Sequence, residues 1–269
     1  MNWGLEMKIK NASNALYLLR SLSLNDFKSK YAGSYFGFFW MLVQPMVTIL
    51  VYWFVFEKGL KVTSPDNISA PFILWFISGI IPWFFFSEAL ATSSNSFIEY
   101  NYLVKKVIFR IGILPYVKIL SALIMHLFFI CILFLFFVAY KYPLDVHVVQ
   151  IFYYIICNVL LVASISKLTS AITPFFKDFS YILSIILQFG MWLSPILWST
   201  EILSPELAFL FKLNPFYYIV EGFRDSFINQ VWFFEKYKIT MYFLFILCFN
   251  FLVSKKVYSK LKPHLSDVL

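Results

Sequence analysis

"APFILWFISGIIPWFFFSEALAT", residues 70–92, runs for twenty-three residues with one charged side chain, Glu88, near its end. An α-helix needs about 20 apolar residues to cross the hydrocarbon core of a bilayer. A stretch of this length and composition reads as a transmembrane helix. Further runs of the same kind lie near 36–56, 113–139, 150–173, 179–198 and 239–254. The chain of 269 residues is 61% hydrophobic and 13% charged, against about 25% charged in an average soluble domain. Polar surface is too scarce to cover a soluble body of this size. The expected fold class is an all-α integral membrane protein: one transmembrane domain, residues 1–269, with six transmembrane helices.

Charge sets the expected topology. Lys8, Lys10, Arg20, Lys28 and Lys30 precede the first run. Lys105, Lys106 and Arg110 separate the second from the third, and Lys177 the fourth from the fifth. Lys255, Lys256, Lys260 and Lys262 close the chain. The other side carries Lys58, Lys61, Lys141, Lys212, Arg224, Lys236 and Lys238 over longer stretches. The positive-inside bias puts both termini in the cytoplasm. It also accounts for the net charge of +8 without nucleic acid, because the basic residues are scattered between apolar runs. Cys131, Cys157 and Cys248 lie inside such runs and read as buried packing residues. No continuous apolar core opens the chain, so no cleavable signal peptide is expected.

Two segments do not fit the spanning pattern. Residues 13–34 mix Leu16, Leu18, Leu19, Leu22 and Leu24 with Arg20, Asp26, Lys28 and Lys30. That mixture predicts an amphipathic helix on the cytoplasmic interface, basic residues toward lipid phosphates. Residues 199–238 hold two short helix starts, Ser204-Pro205 and Asn214-Pro215, each with a capping side chain before a proline. The apolar stretches that follow are too short to cross, which predicts a re-entrant helical hairpin before the last span. Glu221 and Arg224 stand three apart and can pair on one helix face, for about 0.2–0.5 kcal/mol if exposed.

The equipment for catalysis is missing. No G-x-x-x-x-G-K-[ST] appears, so ATP is not expected in a P-loop of this chain. Glu88 is the lone acid within a span and His126 the lone histidine there; a single histidine in that position reads as a packed or hydrogen-bonded residue. No catalytic residue, proton relay or metal cluster is expected. The spans offer stripes instead. Trp40, Gln44, Thr48 and Tyr52 recur every four residues; Ser184, Gln188 and Trp192 do the same, and Asn158, Ser166 and Ser170 share another face. Aromatic planes beside amide groups suit sugars, so Trp40, Gln44, Tyr52, Gln188 and Trp192 are candidates for a substrate channel. Small polar residues that glue helices together, and interfacial aromatic belts, give the same pattern. Pro45 and Pro195 are expected to kink their helices.

These stretches accumulate into a resemblance. "DFKSKYAGSYFGFFWMLVQP" (26–45), "GIIPWFFFSEAL" (79–90), "LVKKVIF" followed by "ILP" (103–115), "FFKDFSYILSIILQFGMWLSPILW" (175–198) and "LNPFYYIVEGFRDSF" (213–227) together resemble the polysaccharide-export permeases of the type-2 ABC exporter class. These are membrane subunits that export O-antigen, capsule or teichoic-acid polymers. The resemblance covers roughly residues 20–230. It implies a homodimer with a channel at its interface and two separate ATP-binding subunits, which would hold the ATP and magnesium; no cofactor is then expected on this chain. It implies a polyprenyl-pyrophosphate-linked glycan as substrate and the bacterial inner membrane as location. It also implies that residues about 13–30 and about 96–110 meet the ATPase. Lys28, Lys30, Asn101, Lys105, Lys106 and Arg110 would then serve ATPase coupling and the cytoplasmic entrance. Asn214, Pro215, Glu221 and Arg224 would hold an outer gate. Lys30 and Lys177 stand where the family more usually has arginine, and Arg110 where a proline is common. Two other readings stay open: an exporter of the same architecture for a drug or small lipid, and a membrane enzyme transferring lipid-linked sugars through acids such as Glu201, Glu206, Glu221 and Asp225.

Overall fold

A computed structural model describes residues 3–31, 35–37, 39–62, 64, 70–104 and 111–269. Among these residues there are helices and no β-strand. The α-helices are α1 (Trp3–Tyr31), α2 (Phe39–Trp53), α3 (Phe72–Ser94), α4 (Ser96–Glu99), α5 (Asn101–Val104) and α6 (Leu114–Ala139). They continue with α7 (Ile151–Ile172), α8 (Phe179–Leu193), α9 (Pro205–Lys212), α10 (Pro215–Arg224), α11 (Tyr237–Leu261) and α12 (Leu265–Val268). A π-helical stretch, Phe54–Gly59, prolongs α2, and another, Asp225–Asn229, prolongs α10.

Among the described residues five stretches are long and apolar enough to cross a membrane: Phe39–Gly59, Phe72–Ser94, Ile111–Ala139, Val146–Ile172 and Tyr237–His264. The sixth apolar helix, α8, has 15 residues and extends about 22 Å at 1.5 Å per residue. The run expected over 179–198 is thus helical only to Leu193. Pro195 explains the stop: it lacks an N–H and bars the helical conformation at the residue before it. Ser194 is accordingly extended, φ −89° and ψ 138°.

The bundle is built around α3, of whose apolar window 83% is buried. α6 packs along one side and α7 along another. The polar face read on the fourth run turns inward: Ser93 Oγ donates to Ser166 Oγ (2.6 Å) and Ser94 Oγ to Thr169 Oγ1 (2.7 Å). Asn158 Nδ2 donates to the carbonyl of Pro82 at 3.1 Å, within a helix that a proline interrupts. These groups join helices. His126 is also packed inside, its ring 4.9 Å from that of Phe85, and neither ring nitrogen has a hydrogen-bond partner among the described residues.

One end of the bundle gathers the last helix and the second half of α1. Leu265 of α12 shares a small apolar cluster with Phe97, Val104 and Leu114, and α1 packs on the start of α6. We call this the terminal end; α9, α10 and the Asp225–Asn229 stretch belong to the opposite half. One expectation needs correction. Only Cys157 of the three cysteines is buried, while Cys131 and Cys248 lie on exposed faces of α6 and α11, where an apolar thiol needs no protein cover. The helix expected over 13–34 is described from Trp3 to Tyr31, and residues 32–34 lie outside the described residues. Leu16, Tyr17 and Leu24 are exposed whereas Ser23 and Asp26 are buried, because Asp26 finds a cation on α6.

Candidate functional site

The opening left by Pro195 is closed by Arg224. Its guanidinium donates from Nη1 to the carbonyl of Pro195 (2.7 Å) and from Nη2 to that of Ile196 (3.0 Å). Nη1 also bonds Glu221 Oε1 at 2.8 Å, one turn back on α10. The guanidinium carbon sits 3.6 Å from the centroid of Trp75 on α3, a cation–π contact. Irregular backbone at membrane depth must find hydrogen-bond partners within the protein, and Arg224 supplies two. The side chain is only 1% exposed. The Glu221–Arg224 pair expected on a helix face is thus present but buried at its cationic end. Gly79 makes room for it: a Cβ there would lie 3.0 Å from Arg224 Nη2.

The hairpin is re-entrant, and its contacts give its depth. Phe216, at the start of α10, packs on Trp83 and Phe86 in the second half of α3, with ring centroids 5.0 and 4.8 Å apart. Arg224, at its end, meets Trp75 near the start of α3. α10 therefore begins deep and runs back antiparallel to α3. Asn214 caps it, accepting from the Phe216 N–H at 3.0 Å and donating from Nδ2 to Ser194 Oγ at 2.9 Å. Pro215 occupies the first helical turn, where its missing N–H is harmless. Ser204 stands at the start of α9 but makes no side-chain cap bond. Beyond α10, Asp225 is buried and paired with Lys236 (2.6 Å). Gln150 ties down the next loop, donating to the Val231 carbonyl (2.8 Å) and accepting from the Phe233 N–H (3.0 Å). The sequence-predicted Asn214, Pro215, Glu221 and Arg224 are brought together with Ser194, Pro195, Trp75 and Gly79.

The stripe residues lie on α2 and α8. Trp40 and Trp192 are 51% and 48% exposed, and Gln44 and Gln188 are exposed as well. Tyr52 is half-buried and meets Trp192 edge-on, ring centroids 6.2 Å apart. The two stripes therefore join at Tyr52 and Trp192 into one exposed face of aromatic rings and amides. Trp192 is held further by its carbonyl, which accepts from Trp198 Nε1 at 2.9 Å.

The terminal end holds a charged cluster. Lys118 of α6 donates to Asp26 Oδ1 of α1 at 2.7 Å, pairs with Glu99 of α4, and lies 5.1 Å from the Tyr100 ring centroid. The Tyr100 hydroxyl donates to the same Asp26 oxygen at 2.7 Å. Burial pushes the Asp26 carboxyl up, but hydrogen bonds from Lys118, Tyr100 and Ser121 and the Lys118 charge hold it below its ordinary value. Burial, then the bond to Asp26, raises the Tyr100 hydroxyl, which keeps it a donor. Lys30, expected to face lipid phosphates, is paired with Glu88; Lys28 and Asn101 are exposed. Lys105, Lys106 and Arg110 lie outside the described residues. Sequence reading missed Lys118, Asp26 and Glu99 as a group. A lysine one turn inside an apolar run was the available signal, since a buried ammonium needs a carboxylate.

The fold defines a multi-pass helical membrane protein with a re-entrant hairpin braced by a buried arginine. Residues 17–228 match the family model described as ABC-2 type transporter, and the chain belongs to that family, as a membrane permease. It is 26% identical over 276 residues to an O-antigen export system permease protein RfbA of Klebsiella pneumoniae, covering 98% of this chain and 100% of that protein. A second permease of that name from Klebsiella pneumoniae is 26% identical over 271 residues, 98% of this chain and 100% of the relative. One from Myxococcus xanthus is 24% identical over 215 residues, 79% and 81%.

Proposed function

We propose that this permease is the membrane subunit of an ATP-driven exporter that carries a lipid-linked, O-antigen-like polysaccharide across the bacterial inner membrane. It acts as a homodimer with two ATP-binding subunits, which hold the nucleotide and its magnesium. The terminal end faces the cytoplasm, in keeping with the positive-inside bias. The observation that carries this reading is the exposed aromatic and amide face shared by α2 and α8, with Tyr52 and Trp192 in contact. Full-length likeness to permeases named for O-antigen export supports the polymer class.

Ring C–H groups of a sugar stack on an aromatic plane while its hydroxyls bond amides. Such contacts are individually weak and indifferent to sequence, so a polymer can slide over them. Conduction needs binding strong enough to admit the chain and weak enough to release it. Lys28 and Lys30 lie where anionic lipid phosphates approach the cytoplasmic surface, though Lys30 must first leave Glu88. The hairpin and its Arg224 brace hold the outer gate, and α4, α5 and α1 meet the ATPase. This chain carries out no bond-breaking step.

A strain lacking the gene tests the reading. Polymer absent from the surface but accumulated inside on its lipid carrier is the expected result. Polymer absent in both places would point to a biosynthetic enzyme, and normal surface polymer to another cargo.

A further inference from the structure

The charged cluster at the terminal end is asymmetric. Asp26 and Lys118 are nearly sealed, with side chains 9% and 11% exposed, while Glu99 is 47% exposed. Both carboxylates bind one ammonium, that of Lys118, which belongs to α6 and ties α1 to α4. Parting Lys118 from Asp26 would strand a buried charge; parting it from Glu99 leaves a carboxylate that water can solvate. The two bonds of the same ammonium therefore differ in how easily each is given up. A cavity of about 290 Å³ lies against the cluster, lined by Asp26, Lys30, Glu99 and Lys118 among others. Close-packed interfaces leave no such room for a side chain to swing. On its rim Lys30 of α1 pairs with Glu88 of α3, so a second, more exposed contact holds the same helix.

We propose that Lys118 is a positioning residue that couples the α4–α5 segment to α1 by exchanging Glu99: the Asp26–Lys118 pair is permanent, and Glu99 docks on it or leaves. This rests on the reading that α4–α5 meets an ATP-hydrolysing partner. When the partner moves α4, Glu99 is drawn off and Lys118 is left with Asp26; the segment then holds α1 through the Tyr100 hydroxyl on Asp26 alone, while α1 keeps its ionic tie to α6. α1 then follows the spans more closely than the coupling segment, because its remaining link to that segment is one hydrogen bond.

Three full-length variants, Glu99→Gln, Lys118→Met and Lys118→Arg, each produced with the ATPase subunit, test this. Surface polymer in cells is compared with ATP hydrolysis by the purified complex and with membrane abundance. Glu99→Gln is expected to lower polymer exported per ATP hydrolysed by about fivefold or more, at wild-type abundance. Lys118→Met is expected to lower polymer per ATP at least as far, with no added loss in that ratio when Glu99→Gln is combined with it, and to lower abundance as well because Asp26 is left buried without a cation; Lys118→Arg is expected to restore both. Unchanged export per ATP in Glu99→Gln, or a loss that merely follows abundance, would overturn the latch. Failure of the unaltered chain to bring an ATPase with it would instead overturn the functional reading.

Discussion

Arg224 is a buried cation whose partners are mostly backbone. Its Nε–H has no hydrogen-bond partner among the described residues, and Trp75 covers the guanidinium. Replacing it by methionine strands Glu221 and the Pro195 and Ile196 carbonyls. A loss of about 3–5 kcal/mol is expected, read as a fall in melting temperature of the purified protein. Arg224→Lys keeps the charge but a single ammonium cannot span two carbonyls and a carboxylate, so it should fall between wild type and Arg224→Met. Asp26 makes a pH prediction. Its folded pKa is depressed below 3.8, so its contribution is complete above the unfolded value and is lost as pH falls through the folded one. Acid unfolding should therefore steepen below about pH 4, and Asp26→Asn should flatten that limb.

The re-entrant hairpin is the element the sequence announced best. Ser204 and Asn214, each before a proline, marked its helix starts, although only Asn214 makes the cap bond; such a signal is legible because it involves only neighbours. Its seating was not legible. α10 is held against α7 by Gly222, where a Cβ would collide with the Tyr154 ring. Gly222→Ala should destabilise by about 1–3 kcal/mol through overpacking. Asn214→Ala removes the cap and the bond to Ser194, and about 1 kcal/mol is expected for the cap. Both are measured as thermal shifts of the purified protein. On α1 the legible part was the amphipathic mixture; that Asp26 would be buried against Lys118, ninety-two positions away, was not.

At the scale of the whole molecule, α2 and α8 carry an aromatic face that the described residues leave exposed. Trp40→Ala with Trp192→Ala should lower surface polymer while the protein remains in the membrane at normal abundance. A lost stacking contact worth roughly 1 kcal/mol corresponds to about a fivefold change. The comparison of surface polymer with membrane abundance, measured on the same cells, separates lost conduction from lost assembly.

Composition and run length alone settled that this is a helical membrane protein, because a bilayer demands long uncharged helices and leaves little room for alternatives. The early end of α8 was half legible: Pro195 was visible as a kink, but not that the helix would stop. What only the tertiary structure decided is which polar groups meet. Asn158 and Ser166 turned inward as helix contacts while Gln44 and Gln188 stayed outside, although both kinds recur at helical spacing. Lys118 joined Asp26 and Glu99, and Arg224 reached back to the chain after α8. Periodicity fixes which residues share a helix face. The direction of that face depends on how helices far apart in the chain pack, and a buried charge must find its partner there.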